Sequence, residues 1–429
     1  MKIVLERRAK SESSFGLFSL QERPKWVNRD SFLRARRHAA DPAQRTARPR
    51  PARAGLRVKA KTEFTVVPGE PAKHFLLSSP RKRGPITTGL SRRCGVWVPA
   101  FAGTTIKRLR ATDNPRYNTA MSTLLVSHPA CLDHLMPPGH PERPDRLRAI
   151  ERALEDERFQ ILAREQAPMA EAENIELCHP IEYIEAIRNA SPSEGMVQLD
   201  ADTSMSPGSF EAALRGVGGG MLAVDEVMNQ KASNAFVAVR PPGHHAETAR
   251  PMGFCLFNNA AITARYAQNR YGVERVSIVD FDVHHGNGSQ DIFWADKSVM
   301  YCSTHEMPLY PGSGAASERG EYNTVVNAPL SAGDGGDAFR EAFEIVILPR
   351  LREFKPDFLV ISAGFDAHTR DPLANLNLVE ADYTWVTKKL MEIADASAQG
   401  RIVSLLEGGY DLQALARSVA AHVTALMGG

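Results

Sequence analysis

Two carboxylates and two imidazoles stand close together in the segment IVDFDVHHGNG, which begins at Ile278. A run of apolar residues leads into Asp280, Asp282 and His284, and because side chains alternate along a strand we expect these three to share a face. A carboxylate and an imidazole at this spacing can bind one metal ion, and Asp366, after another predicted strand, is the natural third ligand. The sequence therefore predicts a three-ligand O/N/O site, which leaves a position for water or substrate as in catalytic zinc sites.

Two further motifs follow predicted strands. RPPGHHAE follows AFVAV and contains His244 and His245, and EGGYD follows RIVSLL and contains Tyr410. Imidazoles titrate near neutral pH and suit general acid and base roles, and a nearby metal lowers the pKa of water and polarises a carbonyl. Because two anionic ligands weaken the Lewis acidity of the metal, a hydrogen bond from Tyr410 to a developing oxyanion would help. The combination is typical of metal-assisted hydrolysis of an amide or ester.

The motifs need a scaffold that brings distant strand ends together. From residue 121 onward, short apolar runs alternate with amphipathic stretches. This alternation predicts one α/β domain with a mostly parallel sheet, helices on both faces and ligands at the carboxyl ends of the strands. The predicted strands are Thr123–Ser127, Ala235–Val239, Val276–Val279, Ser298–Cys302, Phe358–Ser362 and Ile402–Leu406. The predicted helices are Arg143–Leu154, Ser209–Met228, Asn258–Tyr271, Ala338–Phe354, Glu380–Ser397 and Leu412–Leu426.

The charge of the chain is divided unevenly. Residues 1–120 hold 27 Lys and Arg against 8 Asp and Glu, whereas residues 121–429 hold 25 against 42. The first segment is rich in Arg and Pro without sustained periodicity, so we expect a disordered basic extension or a misassigned start, with Met121 as the natural one. A nucleic-acid- or membrane-binding arm and a transit peptide are the alternatives. Deleting residues 1–120 is expected to leave activity and thermal stability unchanged.

Composition limits the class of protein. The chain has 429 residues, of which 43% are hydrophobic and 24% charged, as in ordinary globular proteins. No apolar run is long enough to span a membrane. The five cysteines are scattered and form no CxxC pair, which favours reduced thiols and a cytoplasmic location. We expect no specific nucleic-acid binding, and the sequence leaves the oligomeric state open.

The motifs RPPGHHAE, GFCLFNNAAI, DFDVHHGNGSQDIF, YPGSG, SAGFDAHTRDPL and LEGGYD resemble, in this order, the zinc-dependent histone deacetylase superfamily, which includes acetylpolyamine amidohydrolases. HPERPDRL fits the first loop of that family. The resemblance covers residues 121–429 and implies the arginase–deacetylase α/β fold. It also implies removal of acetyl or other acyl groups from acylated lysine side chains, with acetylpolyamines as the alternative substrates and Zn²⁺ or Fe²⁺ as the metal.

Carried over to this chain, the resemblance assigns roles to individual residues. Zinc would bind the three predicted ligands, Asp280 would orient His244, and Tyr410 would be the oxyanion donor. Asn287, where class I enzymes carry Asp, would give His245 a neutral partner as in class II-like members. A structural potassium ion would bind Asp280, Asp282, His284, Ser303 and Thr304. Substrate contacts would come from Asp202 on the rim, from Gly253, Phe254, Tyr310 and Leu373 along a narrow tunnel, and from Arg146 at the exit for the released acid.

Three other interpretations compete with this one. An arginase-type binuclear manganese hydrolase would need more bridging carboxylates than surround His284 and Asp366. A catalytically inactive acyl-lysine reader would not need the complete set of ligands, histidines and Tyr410. The GVGGG stretch at 216–220 lies in a predicted helix and not after a strand, so it fails the context of a phosphate-binding loop, and close helix packing is its expected role.

Overall fold

The computed structural model describes residues 122–429. The predictions for residues 1–120 and for Met121 lie outside the described residues. Eight strands form one sheet in which every neighbouring pair is parallel, in the order β2-β1-β5-β10-β9-β6-β7-β8. These strands are β1 (Thr123–Ser127), β2 (Ala163–Gln166), β5 (Asn234–Ala238), β6 (Val276–Asp280), β7 (Val299–Glu306), β8 (Val325–Leu330), β9 (Phe358–Ala363) and β10 (Ile402–Leu406). A short antiparallel hairpin pairs β3 (Val197–Gln198) with β4 (Ser204–Met205).

Helices connect the strands. They are α1 (Asp145–Ala153), α2 (Ala172–Ile175), α3 (Ile181–Ala190), α4 (Ser209–Met228), α5 (Asn259–Tyr271), α6 (Asn287–Phe293), α7 (Gly336–Ala342), α8 (Leu348–Phe354), α9 (Glu380–Ser397) and α10 (Leu412–Leu426). Within residues 122–429, no helix combines the length and apolar content that a bilayer crossing requires. The four cysteines of this range are buried and free, and the predicted cytoplasmic location stays a prediction.

Helices cover both faces of the sheet, as predicted. Phe236 and Val237 are neighbours on β5 and therefore point to opposite faces. The ring of Phe236 lies 5.6 Å from the ring of His422 on α10, whereas Val237 lies against Gly219 on α4. Helix α9 packs beside α10, and α5 packs beside α4. The predicted α/β architecture with a parallel sheet is confirmed.

The glycine stretch of α4 serves close packing. A Cβ atom at Gly218 would lie 2.0 Å from the carbonyl oxygen of Pro168, and one at Gly220 would lie 2.1 Å from Oγ1 of Thr263 on α5. Substitution at either position would push the helix away from its neighbours. This arrangement agrees with the expected packing role of the GVGGG stretch.

Several element predictions were incomplete. Strands β2 and β8 and helices α2, α3 and α6 were not predicted. The predicted helix Ala338–Phe354 is interrupted by a π-helical turn at Phe343–Ile347. Strand β2 is mostly exposed at the sheet edge, so its sequence AREQ lacks the apolar run that indicates a strand. Helix α6 begins inside the GNG turn, where glycine obscures the helical pattern.

Candidate active site

The four motifs that follow strands meet at one edge of the sheet. The strands β5, β10, β9 and β6 that precede them are consecutive in the sheet, although they are distant in sequence. All run parallel, so their carboxyl ends lie side by side. A cleft of about 510 Å³ lies elsewhere, beside Thr123 and Ile402 at the amino ends of β1 and β10. Its lining contains no residue of the four motifs.

The predicted metal ligands converge. One potential ligand atom from each of Asp282, His284 and Asp366 lies within 4.8 Å of the others, and all three residues are buried. Nδ1 of His284 is 3.2 Å from Oδ1 of Asp282 and 3.1 Å from Oδ2 of Asp366. The ring nitrogen that faces the carboxylates is therefore Nδ1.

The local backbone differs from the predicted strand. Strand β6 ends at Asp280, so alternation along a strand does not place Asp282 and His284. Instead, Oδ1 of Asp280 accepts from the Asp282 N–H at 3.1 Å, and Oδ1 of Asp282 accepts from the His284 N–H at 2.9 Å. Such side-chain-to-backbone bonds two residues apart shape turns. Phe281 points away and its ring packs against that of Phe365.

Two glycines make room for the ligand oxygens. A Cβ atom at Gly364 would lie 2.0 Å from Oδ2 of Asp282, and one at Gly408 would lie 2.1 Å from Oδ2 of Asp366. The Gly408 N–H also donates to Oδ2 of Asp282 at 2.8 Å. The glycines of AGFD and EGGY therefore leave room for the two carboxylates to approach each other, and Gly408 also binds one of them through its N–H.

The electrostatics of the cluster fit a bound cation. Burial and the charge of Asp282 raise the pKa of Asp366 to about 7. Burial lowers the pKa of His284, but hydrogen bonds and charge from Asp282 and Asp366 outweigh it and raise the pKa to about 10. Two buried carboxylates that oppose each other's ionisation need positive charge between them. An oxygen-and-imidazole donor set of this kind suits a divalent ion such as Zn²⁺ or Fe²⁺.

The paired histidines have different partners. Nδ1 of His244 lies 3.0 Å from Oδ2 of Asp280, and Nδ1 of His245 lies 2.9 Å from Oδ1 of Asn287. The two ring centroids are 4.0 Å apart. Tyr301 also donates its hydroxyl to Oδ2 of Asp280, at 3.1 Å. Each histidine is thus held through a hydrogen bond at Nδ1, and Nε2 is the ring nitrogen that takes no part in this bond.

These partners give the two imidazoles different pKa values. Burial lowers the pKa of His244, but the charges of Asp282 and Asp280 outweigh burial and raise it to about 10. Burial and the neighbouring charge of His244 bring the pKa of His245 well below its usual range. The surroundings therefore favour the protonated form of His244 and the neutral form of His245, and such a difference within a pair is the usual way to divide acid and base roles.

A cavity of about 230 Å³ leads to this cluster. Its lining contains all five residues predicted for the rim and the tunnel, together with three residues of the chemical site and Leu309. The lining residues are Asp202, His245, Gly253, Phe254, His284, Leu309, Tyr310, Leu373 and Tyr410. Oδ1 of Asp202 accepts from the Gly253 N–H at 3.1 Å, so the rim carboxylate also supports the tunnel wall.

Arg146 lies behind the cavity and does not line it. The side chain is fully buried, and its Nε donates to the Gly409 carbonyl at 2.6 Å. Its guanidinium stacks on the ring of Tyr410, 4.9 Å from the centroid. Glu142 holds Arg146 from the other side, at 3.1 Å. The predicted exit role stays a prediction, and the contacts show Arg146 as a support of the Tyr410 loop.

Sequence reasoning missed several buried carboxylates around the site. Oε2 of Glu407 accepts from the Gly243 and His244 N–H groups at 2.7 and 3.1 Å. Oδ2 of Asp371 accepts from the Tyr410 N–H at 2.7 Å. Each lies inside a motif noted for other residues. Their sequence neighbours do not reveal them, because their partners belong to distant segments.

The residues predicted for potassium lie at the end of β6, in the turn that follows it and on β7. Asp280 and Ser303 are paired in register on β6 and β7. Oγ of Ser303 lies 2.9 Å from Nδ1 of His305, and Oγ1 of Thr304 is buried without a hydrogen-bond partner among the described residues. The potassium site stays a prediction.

Comparison with known proteins identifies the family. Residues 140–426 match the Histone deacetylase domain. The chain belongs to this family. It is 38% identical over 303 residues to the Probable deacetylase of Archaeoglobus fulgidus, covering 68% of this chain and 82% of that protein. It is 39% identical over 329 residues to the chloroplastic Histone deacetylase 14 of Arabidopsis thaliana, covering 72% and 78%.

A solved structure agrees with this assignment. The HDA15 HD domain superposes with a TM-score of 0.68 at 37% identity, and the match covers 72% of this chain and 88% of that one. The arginase–deacetylase fold is thereby confirmed for this member of the histone deacetylase family. The protein is a deacetylase, a hydrolase that cleaves amide bonds.

Proposed function

We propose that this deacetylase is a zinc-dependent amidohydrolase that removes acyl groups from lysine side chains of proteins. The observation that carries the proposal is the narrow cavity that ends at His245, His284 and Tyr410. The lysine stem is a chain of methylene groups, and Phe254 and Leu373 offer it apolar walls. Burial of such a stem is favourable at roughly 0.8 kcal/mol per methylene group.

The residues at the base of the cavity divide the work. A divalent ion on Asp282, His284 and Asp366 would polarise the amide carbonyl and lower the pKa of water. The neutral imidazole of His245 accepts the proton of the attacking water and later returns it to the leaving amine. His244 keeps its proton towards Asp280, and its charge stabilises negative charge nearby.

Tyr410 completes the site. Its side chain lines the cavity, and burial raises the pKa of its hydroxyl well above the usual range. The hydroxyl therefore stays protonated and can donate to the oxyanion as it forms. Donors placed at a developing charge contribute more in a buried site than in water.

Acetylpolyamines are the second candidate substrate. An acetylpolyamine carries a charged ammonium group at the distance from the amide at which an acyl-lysine continues as an uncharged stem and backbone. Among the described residues that line the cavity, Asp202 is the only carboxylate outside the metal cluster, and its Oδ1 already accepts from Gly253 and from the Thr203 hydroxyl at 3.0 Å. An ammonium group would have to share this one carboxylate with the tunnel wall, which favours acyl-lysine.

The test compares substrates on the full chain loaded with zinc. We expect kcat/KM for acetyl-lysine peptides to exceed that for N-acetylputrescine and acetylspermidine, and a chelator to abolish both activities. Higher kcat/KM for the polyamines would overturn the substrate assignment. Metal analysis by mass spectrometry of the protein as purified, before zinc is added, should give one zinc ion per chain, whereas two manganese ions would indicate the arginase-type alternative.

A further inference from the structure

We propose that Glu247 is a positioning residue that fixes the orientation of the Asn287 amide and, through it, the tautomer of His245. The catalytic consequence rests on the proposed amidohydrolase function. The geometry itself concerns residues outside the metal cluster. Glu247 is half-buried. It does not line the cavity of about 230 Å³ in which we propose that the acyl-lysine stem binds, called the acyl cavity below.

The argument starts from the surroundings of the Asn287 side chain. Nδ2 of Asn287 donates to Oε1 of Glu247 at 2.8 Å and to Sδ of Met252 at 3.3 Å. A carboxylate and a thioether can only accept hydrogen bonds. The NH₂ end of the amide must therefore face them, and its carbonyl end must face Nδ1 of His245, which lies 2.9 Å away.

This orientation decides where the imidazole carries its proton. A neutral imidazole has one N–H and one acceptor nitrogen. Because the Asn287 carbonyl can only accept, Nδ1 of His245 must be the donor, and Nε2 is left as the free base.

Without an acceptor at position 247, the NH₂ end of the amide would keep, among the described residues, only its weaker bond to Sδ of Met252. A rotation by 180° would point Nδ2 at His245, and the ring would have to accept at Nδ1 and carry its proton on Nε2. That tautomer cannot take a proton from water. Asn287 accepts from His245 but supplies no charge of its own, so the negative charge that an Asp at this position would provide directly comes here from Glu247, one residue further out.

Glu247 can be tested without disturbing the acyl cavity. It lines a separate cleft of about 330 Å³ with Arg250, Met252 and Asp291. Asp291 is a matched control, because its Oδ2 accepts from the N–H and hydroxyl of Thr248 at 3.0 and 2.7 Å and not from Asn287. The effect of losing a negative charge in the cleft can thus be separated from the effect of losing the contact with Asn287.

The first test measures steady-state kinetics of the zinc-loaded full chain. Glu247→Met keeps a side chain of similar length but replaces the carboxylate by a weak acceptor, and we expect kcat to fall roughly 10- to 100-fold, as for lost outer contacts of a catalytic site. KM should stay unchanged. Glu247→Gln, which still offers a carbonyl, should retain most of kcat, and Asp291→Asn should match the wild type. Unchanged kcat in Glu247→Met would overturn the proposal.

The second test uses a compensating change. Asn287→Asp gives position 287 two acceptor oxygens, so it needs no orienting partner, but it opposes the charge of Glu247. We expect Asn287→Asp alone to be impaired and the double variant with Glu247→Met to recover towards wild-type kcat. If the double variant is as slow as the product of the two single effects, the proposed coupling is wrong.

The third test does not depend on turnover. In protein labelled with ¹⁵N-histidine, the nitrogen shifts of His245 should report a proton on Nδ1, and Glu247→Met should shift the population towards Nε2. A wild-type protein protonated on Nε2 refutes the inference even if it is an active deacetylase. Absence of deacetylation with the expected nitrogen shifts would instead contradict only the proposed function.

Discussion

The main-chain N–H of Tyr410 donates to the carboxylate of Asp371 at 2.7 Å. The other oxygen of Asp371 accepts from the Leu373 N–H at 3.1 Å. One buried carboxylate therefore ties the proposed oxyanion donor to the wall of the acyl cavity. Arg146 supports the same loop from behind through the Gly409 carbonyl, so the position of Tyr410 depends on two anchors that do not touch the reacting atoms.

Asp371→Asn should impair catalysis through Tyr410. Asparagine replaces one acceptor oxygen by an NH₂ group, which opposes either the Tyr410 or the Leu373 N–H. We expect kcat to fall roughly 10- to 100-fold with zinc content preserved. In the Tyr410→Phe background the same change should have little further effect, because the two residues act as one unit.

The control for this variant is Asp382→Asn. Asp382 is also buried, and its Oδ2 accepts from the Val379 N–H at 2.9 Å at the start of α9. Its loss should lower the melting temperature while leaving kcat unchanged. Equal losses of kcat in both aspartate variants would mean that Asp371 acts only through stability.

Tyr410→Phe should remove the proposed oxyanion donor alone. The ring and its contact with Arg146 are retained, so the loop should keep its place. We expect kcat to fall roughly 100- to 1000-fold, as when one oxyanion donor is deleted, with normal zinc content. Steady-state kinetics and metal analysis check this, and a kcat equal to that of the wild type would count against the role of Tyr410.

Asp366→Ala should abolish stoichiometric zinc binding. The substitution removes one of three ligands and leaves Asp282 and His284 without the third side of the site. Metal analysis after dialysis should find less than one zinc ion per chain and no deacetylation. Retention of one tightly bound zinc ion would show that the ligand set is wrong.

Glu142→Gln should change stability in a pH-dependent way. Burial raises the pKa of Glu142, but the charge and hydrogen bonds of Arg240 outweigh burial and lower the pKa to about 2. A carboxyl group whose pKa is lower in the folded than in the unfolded state stabilises the folded protein at pH values above the unfolded pKa. That contribution, about 3 kcal/mol here, is lost as the pH falls through the unfolded and then the folded pKa. The variant should therefore unfold more easily than the wild type at pH 7.

Urea unfolding at several pH values measures this contribution. The difference in free energy of unfolding between wild type and Glu142→Gln should be largest at neutral pH. It should shrink as the pH falls below about 4.3, the usual pKa of an unfolded glutamate. A difference that stays constant down to pH 3 would contradict the assignment of the lowered pKa to Glu142.

The sequence by itself determined the class of fold and the chemical groups of the site. Alternating apolar strands and amphipathic helices indicate a parallel sheet, and helices such as Ser209–Met228 and Leu412–Leu426 have the predicted bounds. Polar motifs after four strands indicate one site, because parallel strands end on the same side of a sheet. Local sequence patterns therefore suffice to predict those elements in which burial of one face repeats apolar residues at a regular spacing.

Only the tertiary structure decided how these groups are held. Asp282 and His284 lie in a turn after β6, shaped by the carboxylate of Asp280 rather than by strand alternation. Asp371 and Glu247 lie within motifs that the sequence singled out for other residues, and their partners come from other segments. Such contacts leave no periodic trace, because hydrogen bonds between distant residues depend on how the loops meet in space.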